Sequence, residues 1–110
     1  MFPPRAPAGR GEAAVVTIGM NYVVLPGKER VFEEACDKVV EAMRGVAGHD
    51  ESHLYKRLDD GDHVYLIVSR WRSDEAFRTF VASDRFKKVT RWGMQNVLAG
   101  PPRHTTYRED

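Results

Sequence analysis

Apolar residues in this chain of 110 residues recur with two different periods, which divide it into strands and helices. Residues 14–25 (AVVTIGMNYVVL) are rich in β-branched side chains and are followed by Pro26-Gly27, which predicts a first strand. Residues 28–46 carry apolar side chains three and four positions apart, the period of an amphipathic helix. Because side chains alternate along a strand, the first strand is predicted to have two apolar faces, with Asn21 on a buried one.

Two further strands follow the first helix. Residues 49–58 and residues 63–71 (HVYLIVSRW) flank Asp60-Gly61, a pair typical of a tight hairpin turn because glycine tolerates a positive φ. These two strands are therefore predicted to pair antiparallel.

Serines mark the predicted starts of two more helices. Ser73 can cap one helix, and Asp74 and Glu75 in its first turn favour the positive end of the helix dipole. Ser83 offers a second cap. Residues 104–108 (HTTYR) are short and β-branched, which suits an edge strand.

The order β, α, β, β, α, α, β predicts an α+β fold, the ferredoxin-like split β-α-β arrangement with an antiparallel sheet. Helices on one face leave the other apolar face uncovered, so we expect a homodimer in which two sheets enclose a shared interior, a dimeric α+β barrel. Residues 1–13, rich in proline and glycine, are predicted to be a flexible tail, and residues 14–110 the single domain.

Composition narrows the possible partners. Hydrophobic residues make up 42% and charged residues 30%, and the formal net charge is +1, which gives no reason to expect nucleic acid or an anionic membrane as a partner. Cys36 is the single cysteine and lies on the apolar side of its helix, so an inert core thiol in a reducing cytoplasm is expected. No run of about 18 apolar residues or signal-peptide pattern is present.

Residues 71–77 (WRSDEAF), followed by Ser83, Asp84 and Phe86, resemble the W-x-S-x-x-A-F…S-x-x-F signature of the antibiotic biosynthesis monooxygenase family. The resemblance extends over residues 15–107. It implies a dimeric α+β barrel and a group of activities that includes cofactor-independent, quinone-forming oxygenases and haem-degrading enzymes.

The resemblance assigns catalytic roles to Asn21 and Trp71. An amide and an indole in an apolar pocket can stabilise the negative charge of a deprotonated aromatic substrate that reacts directly with oxygen. The structural alternatives are a buried amide bonded to backbone for Asn21 and a core ring for Trp71.

Other positions depart from the family's known sites. Ile67 replaces a second asparagine of the quinone-forming enzymes, Phe80 stands where haem-degrading members have tryptophan, and Thr90 lies near the position of their histidine. Haem is therefore disfavoured, because imidazole is the usual nitrogen ligand of its iron, and no bound cofactor is expected. The predicted substrate contacts are Tyr55, Tyr65, Ile67, Phe80 and Trp92. Tyr55 and Tyr65 are expected on compatible strand faces, and aromatic packing is the alternative for both tyrosines and for Trp92.

Further clusters of charged or ligating side chains are weaker signals. Residues 49–53 (HDESH) alternate in direction along a strand, which leaves no four-ligand geometry, so no metal site is predicted. The basic residues of 85–91 are interpreted as a solvated helical face, and a patch that meets an anionic ligand is the alternative. Three hypotheses remain: a cytoplasmic oxygenase acting on a small aromatic or quinone-like molecule, a haem-binding or haem-degrading protein, and a non-catalytic ligand-binding or stress-associated dimer.

Overall fold

The structure, a computed structural model, describes residues 15–59 and 63–108. Its elements are β1 (Val16–Val23), α1 (Glu29–Met43), β2 (His49–Lys56), β3 (Val64–Trp71), α2 (Asp74–Val81), α3 (Asp84–Asn96) and β4 (Arg103–Arg108). This order confirms the sequence prediction. The predicted tail of residues 1–13 and the turn at Asp60-Gly61 lie outside the described residues.

The four strands form one sheet in the order β2-β3-β1-β4, and each neighbouring pair is antiparallel. The helix between β1 and β2 and the helices between β3 and β4 produce the split β-α-β connections, which confirms the ferredoxin-like fold class. As predicted, β4 is an edge strand, and all six of its residues are exposed.

The helices cover one face of the sheet, which we call the helix face. Alternate residues of β1 and β3 point to it and join the helices in a single core. The buried apolar residues of this core are Val16, Ile18, Met20, Val24, Phe32, Cys36, Met43, Tyr65, Ile67, Trp71, Phe77, Val97 and Leu98.

The intervening residues point to the other side of the sheet, which we call the open face. The strand register places Tyr55, Leu66, Asn21 and Arg103 side by side in one row of this face. Asn21 is exposed in the single chain, so the expectation that it is buried is wrong for one chain. The reason is that the core of the single chain lies on the helix face, where the neighbouring residues Met20 and Tyr22 point.

Both predicted serine caps are confirmed. The Ser73 hydroxyl accepts a hydrogen bond from the Ala76 backbone N–H at 3.0 Å, and the Ser83 hydroxyl accepts one from the Phe86 N–H at 3.2 Å. Each satisfies an amide that would lack a partner in the first turn of its helix. These caps fix the residues at which α2 and α3 begin.

Trp71 fills the junction between β3 and the helices. Its ring has no exposed surface and packs against the rings of Phe77 and Phe80, with centroid distances of 5.7 and 5.3 Å. Its indole Nε1 donates a hydrogen bond to the Ser69 hydroxyl at 2.9 Å. The one polar atom of this large ring is thus satisfied inside the core.

Within the described parts of the chain, no helix is both long and apolar enough to cross a membrane.

We expect Trp71→Ala to lower the free energy of unfolding by about 3–5 kcal/mol, because removal of a fully buried ring leaves a cavity. Urea denaturation followed by circular dichroism measures this change. Trp92→Ala removes the same atoms from a residue that is 41% exposed and should cost much less. Equal losses for the two variants would contradict the central role given to Trp71.

Candidate functional site

A groove of about 490 Å³ runs between α1 and α3 on the outer side of the helices. We call it the helix groove. Its volume falls in the range of roughly 300–1,000 Å³ that is typical of small-molecule sites. The lining residues are Val31, Glu34, Ala35, Lys38, Val39, Ala42, Phe80, Arg85, Phe86, Lys88, Val89 and Trp92.

Aromatic rings form one wall of the helix groove. Phe80 and Phe86 pack against each other with ring centroids 4.9 Å apart, and Trp92 lies farther along α3. Trp92 and Val89 on α3 are 41% and 37% exposed, and Val31 on α1 is 40% exposed. The groove therefore offers apolar and aromatic surface that no part of the described chain covers completely.

The charges around the helix groove are mostly positive. Lys38, Arg85 and Lys88 line it, and none of them forms an ion pair with a carboxylate within residues 15–59 and 63–108. The one acidic lining residue, Glu34, lies 3.8 Å from the exposed guanidinium of Arg30. An anionic group bound in the groove would therefore meet cations that have not been neutralised by neighbouring carboxylates.

A smaller space of about 50 Å³ lies between the helices and the sheet, and we call it the inner pocket. It shares five lining residues with the helix groove: Ala35, Val39, Phe86, Val89 and Trp92. Its remaining lining comes from the helices, the sheet and the chain after α3: Tyr22, Phe32, Cys36, Ile67, Thr90, Gly93, Val97, Leu98 and Pro102.

Titratable groups in the inner pocket are held neutral. Burial raises the pKa of the Cys36 thiol to about 12, with smaller contributions from Asp37 and Glu33. Burial also raises the pKa of the Tyr22 phenol well above its usual value, and the Tyr22 hydroxyl donates a long hydrogen bond of 3.7 Å to the Met20 sulfur. Neither group is a base or a thiolate nucleophile at neutral pH.

The structure brings three of the predicted site residues together. Phe80 and Trp92 line the helix groove, and Ile67 and Trp92 line the inner pocket. Trp71 lies close behind them, with its ring against Phe80, but lines neither space.

The other predicted site residues are separated from this group. Asn21 and Tyr55 lie on the open face, so the sheet stands between Asn21 and Trp71 within one chain. The expectation that Tyr55 and Tyr65 lie on compatible faces is wrong, because Tyr65 pairs with Lys56, the residue after Tyr55, and points to the helix face. The Tyr65 hydroxyl is occupied there, since it donates a 2.5 Å hydrogen bond to the Glu33 carboxylate.

The helix groove itself was not predicted, although the sequence contained a signal for it. Val31, Val89 and Trp92 are large apolar residues at the margin of the helical stripes that form the core. An apolar stripe wider than the core requires is the pattern expected of a helix that also lines a binding site.

The donors in these two spaces do not fit haem ligation through histidine. His49, His53, His63 and His104 are all described, and none lines the helix groove or the inner pocket. Thr90 lines the inner pocket instead, and the neutral Cys36 thiol is a poor ligand. An aromatic and cationic groove suits the porphyrin ring and its carboxylates, but the described residues around it offer no imidazole to the iron.

His49 forms a separate polar cluster under the end of α1. Its Nε2 lies 2.7 Å from the Ser52 hydroxyl, and its ring packs edge-on against Trp71 with centroids 5.0 Å apart. The other ring nitrogen, Nδ1, is buried without a hydrogen-bond partner among the described residues. Burial lowers the pKa of His49 from its usual value of 6.5, outweighing the opposing effects of nearby backbone carbonyls, Asp50 and Glu51.

Residues 15–92 match the family described as antibiotic biosynthesis monooxygenase. A curated relative from Natronomonas pharaonis, whose name assigns heme binding provisionally, is 37% identical over 93 residues, which cover 84% of this chain and 15% of the relative. The chain spans between 13% and 18% of the length of the curated relatives it matches.

Two solved structures show the same fold. A conserved protein from Methanosarcina mazei has a TM-score of 0.78 and 18% identity, with 88% of this chain and 94% of that chain covered. SnoaB from Streptomyces nogalater, a cofactor-independent oxygenase, has a TM-score of 0.74 and 20% identity, with coverages of 89% and 95%.

The lowered pKa of His49 predicts an acid-sensitive fold. Between the folded-state pKa and about 6.5 the unfolded chain binds more protons than the folded chain, so the free energy of unfolding should fall as the pH falls through this window. We expect the slope of unfolding free energy against pH to be smaller in His49→Gln, measured by urea denaturation from about pH 7.5 to 5. His53→Gln, which removes an exposed imidazole, is the control, and equal slopes in wild type and His49→Gln would contradict this origin.

Proposed function

The chain belongs to the antibiotic biosynthesis monooxygenase family, and from this premise we propose that it oxygenates a small aromatic or quinone-like molecule in the helix groove without a bound cofactor. The observation that carries the proposal is the combination of an aromatic wall with unneutralised cations in a groove of about 490 Å³. SnoaB, which shares the fold, is a cofactor-independent oxygenase, so the fold is compatible with this class of reaction.

Binding would rest on the aromatic wall. A flat ring placed against Phe80, Phe86 and Trp92 buries apolar surface on both partners and can stack in the offset or edge-on arrangements that aromatic rings prefer. The two helices limit the thickness of such a ligand, which favours a planar molecule over a branched one.

The cations would favour the reactive form of the substrate. Lys38, Arg85 and Lys88 stabilise a phenolate relative to a phenol, so a bound phenol ionises more readily than in water. An electron-rich phenolate can reduce oxygen directly. In the overall reaction, an activated ring CH₂ group reacts with one molecule of dioxygen and becomes a carbonyl. One oxygen atom forms the new C=O bond, and the other leaves as water with the two hydrogens. The substrate supplies all the electrons.

Trp71 and Asn21 have different proposed roles. Trp71 is a positioning residue, because its buried ring supports Phe80, which lines the helix groove. Asn21 lies in the centre of the open face, so its amide would act towards a partner sheet or a ligand held between two sheets.

A homodimer formed through the open face is part of this proposal. Leu66 and Val68 of β3 lie in the middle of that face, and Val23, Tyr55 and Tyr107 are 45%, 53% and 57% exposed. An apolar sheet surface of this kind commonly marks an interface. A two-fold axis would place the same apolar rows against each other.

Haem binding is the second candidate, because curated relatives carry it in their names. The chain matches only a small part of those relatives, so a haem site elsewhere in them would account for the name. The absence of histidine from the lining of the helix groove and inner pocket also weighs against haem ligation there.

We expect Lys88→Gln to weaken binding of a naphthol carboxylate by roughly three- to tenfold and of the uncharged naphthol much less, because one attractive charge is removed from the groove. Quenching of tryptophan fluorescence measures binding, and an oxygen electrode measures turnover with a panel of hydroxylated aromatic substrates. Lys87→Gln removes the same charge one residue away, outside the groove lining, and is the matched control.

Equal effects of these two substitutions would contradict binding in the helix groove. Tight binding with no oxygen uptake across the panel would favour a ligand-binding protein without catalysis. Haemin that produces a shifted Soret band would support the haem alternative, and an unshifted band would count against it.

We expect wild-type protein to sediment as a dimer and Leu66→Arg to sediment as a monomer at micromolar concentration, because the substitution places a charge in the middle of an apolar interface. Analytical ultracentrifugation measures the mass, and circular dichroism checks that the variant is folded. Arg44→Glu, on the exposed end of α1, is the control. A monomeric wild-type protein would contradict the dimer.

A further inference from the structure

The inner pocket is too small for an aromatic substrate and lies directly behind the place proposed for one. Its volume is about 50 Å³, whereas an engineered cavity that binds benzene has about 150 Å³. About 10–15 Å³ on this measure is enough for one water molecule, so the pocket admits a molecule of a few atoms but not an aromatic ring.

The lining of the inner pocket is apolar and uncharged. None of its side chains carries a charge at neutral pH, since burial holds the Tyr22 phenol and the Cys36 thiol in their neutral forms. The rest of the lining consists of aliphatic and aromatic groups, together with Thr90 and Gly93. A mostly apolar lining favours apolar guests such as xenon over water, which needs two to four polar partners.

The inner pocket adjoins the helix groove. Both spaces are lined by Ala35, Val39, Phe86, Val89 and Trp92, so a guest in the inner pocket and an aromatic ligand in the helix groove would lie side by side. A molecule in the inner pocket is therefore held next to the face of the groove that carries Phe86 and Trp92.

We propose that the inner pocket is a binding site for dioxygen, which it holds beside the aromatic substrate; this inference rests on the oxygenase function proposed above. Dioxygen is apolar, has two atoms and is the co-substrate of that reaction. Prior binding of the gas next to the reacting ring converts an encounter of two dissolved molecules into a step between bound neighbours.

Gly93 provides a way to fill the inner pocket without disturbing the fold. It lies inside α3, lines the inner pocket but not the helix groove, and is buried. A Cβ atom added there would lie 3.5 Å from the Leu98 Cδ1, an ordinary van der Waals contact. Alanine is also a better helix former than glycine, so Gly93→Ala should remain folded.

The first test is xenon binding, which does not depend on activity. Crystals of wild-type protein pressurised with xenon should show a xenon atom in the inner pocket, and Gly93→Ala should lose most of its occupancy. Gly45→Ala, at a glycine with no atom within 4 Å of its added Cβ, is the matched control and should keep it. Xenon bound elsewhere, or undiminished by Gly93→Ala, would overturn the proposal.

The second test is the oxygen dependence of turnover. Gly93→Ala should raise the KM for oxygen several-fold and leave the dissociation constant of the aromatic substrate unchanged, whereas Gly45→Ala should change neither. Val97→Ile adds a methylene from another wall of the same pocket and should act in the same direction. An unchanged KM for oxygen in variants that have lost xenon would overturn the assignment to dioxygen. Xenon binding that responds to Gly93→Ala, in a protein that consumes no oxygen with any substrate, would refute the proposed function while it confirms an apolar gas site.

Discussion

The alternation of side chains along β1 and β3 is the constraint on which the rest of this structure depends. Both strands are apolar on two faces, but the core of the single chain forms on one of them. Every second residue is thereby assigned to the core or to the open face. A shift of one residue in register would exchange the two sets, so the buried Ile18, Ile67 and Trp71 fix the whole sheet at once.

Contacts between the sheet and the helices then fix the position of the helix groove. Near the start of α1, the Tyr65 hydroxyl donates to the Glu33 carboxylate, and the Phe32 ring packs 4.7 Å from that of Tyr65. This attachment fixes α1 against β3 while its outer side faces α3 across the helix groove. A hydrogen bond to a charged acceptor is stronger than one between neutral groups, which suits a contact that orients an entire helix.

The order of elements could be read from the sequence because each element carried a local signal. Ser73 and Ser83 act as caps through contacts with amides three residues away, and such contacts depend little on the rest of the fold. The side of the sheet that the helices cover is a tertiary property. The face of β1 that carries Met20 is uniformly apolar or aromatic, so the sequence pattern favours it as the core; whether a second surface covers the face with Asn21 depends on the assembly.

The candidate site was only partly predictable for the same reason. Phe80 and Trp92 were predicted substrate contacts, and both line the helix groove. The family resemblance assigned catalytic roles to both Asn21 and Trp71. A resemblance gives the residue type at each position but not the face of the sheet on which the residue lies. Tyr55 and Tyr65 were assigned to the wrong faces because the face of a residue depends on the register between β2 and β3, which the nine positions between the two tyrosines do not reveal.

The signature that identifies the family acquires a physical meaning from the packing of its aromatic rings. The ring centroids of Trp71 and Phe80 lie 5.3 Å apart, and those of Phe80 and Phe86 lie 4.9 Å apart. A continuous row of rings therefore leads from the sheet to the helix groove. Trp71 and Phe86 belong to the signature, and both ends of this row are therefore fixed by it. Phe80 lies between them where haem-degrading members have tryptophan, and phenylalanine keeps the row of rings intact while it removes an indole N–H. The signature thus positions the aromatic wall of the candidate site, and the function proposed for that site depends on the side chains placed along the wall.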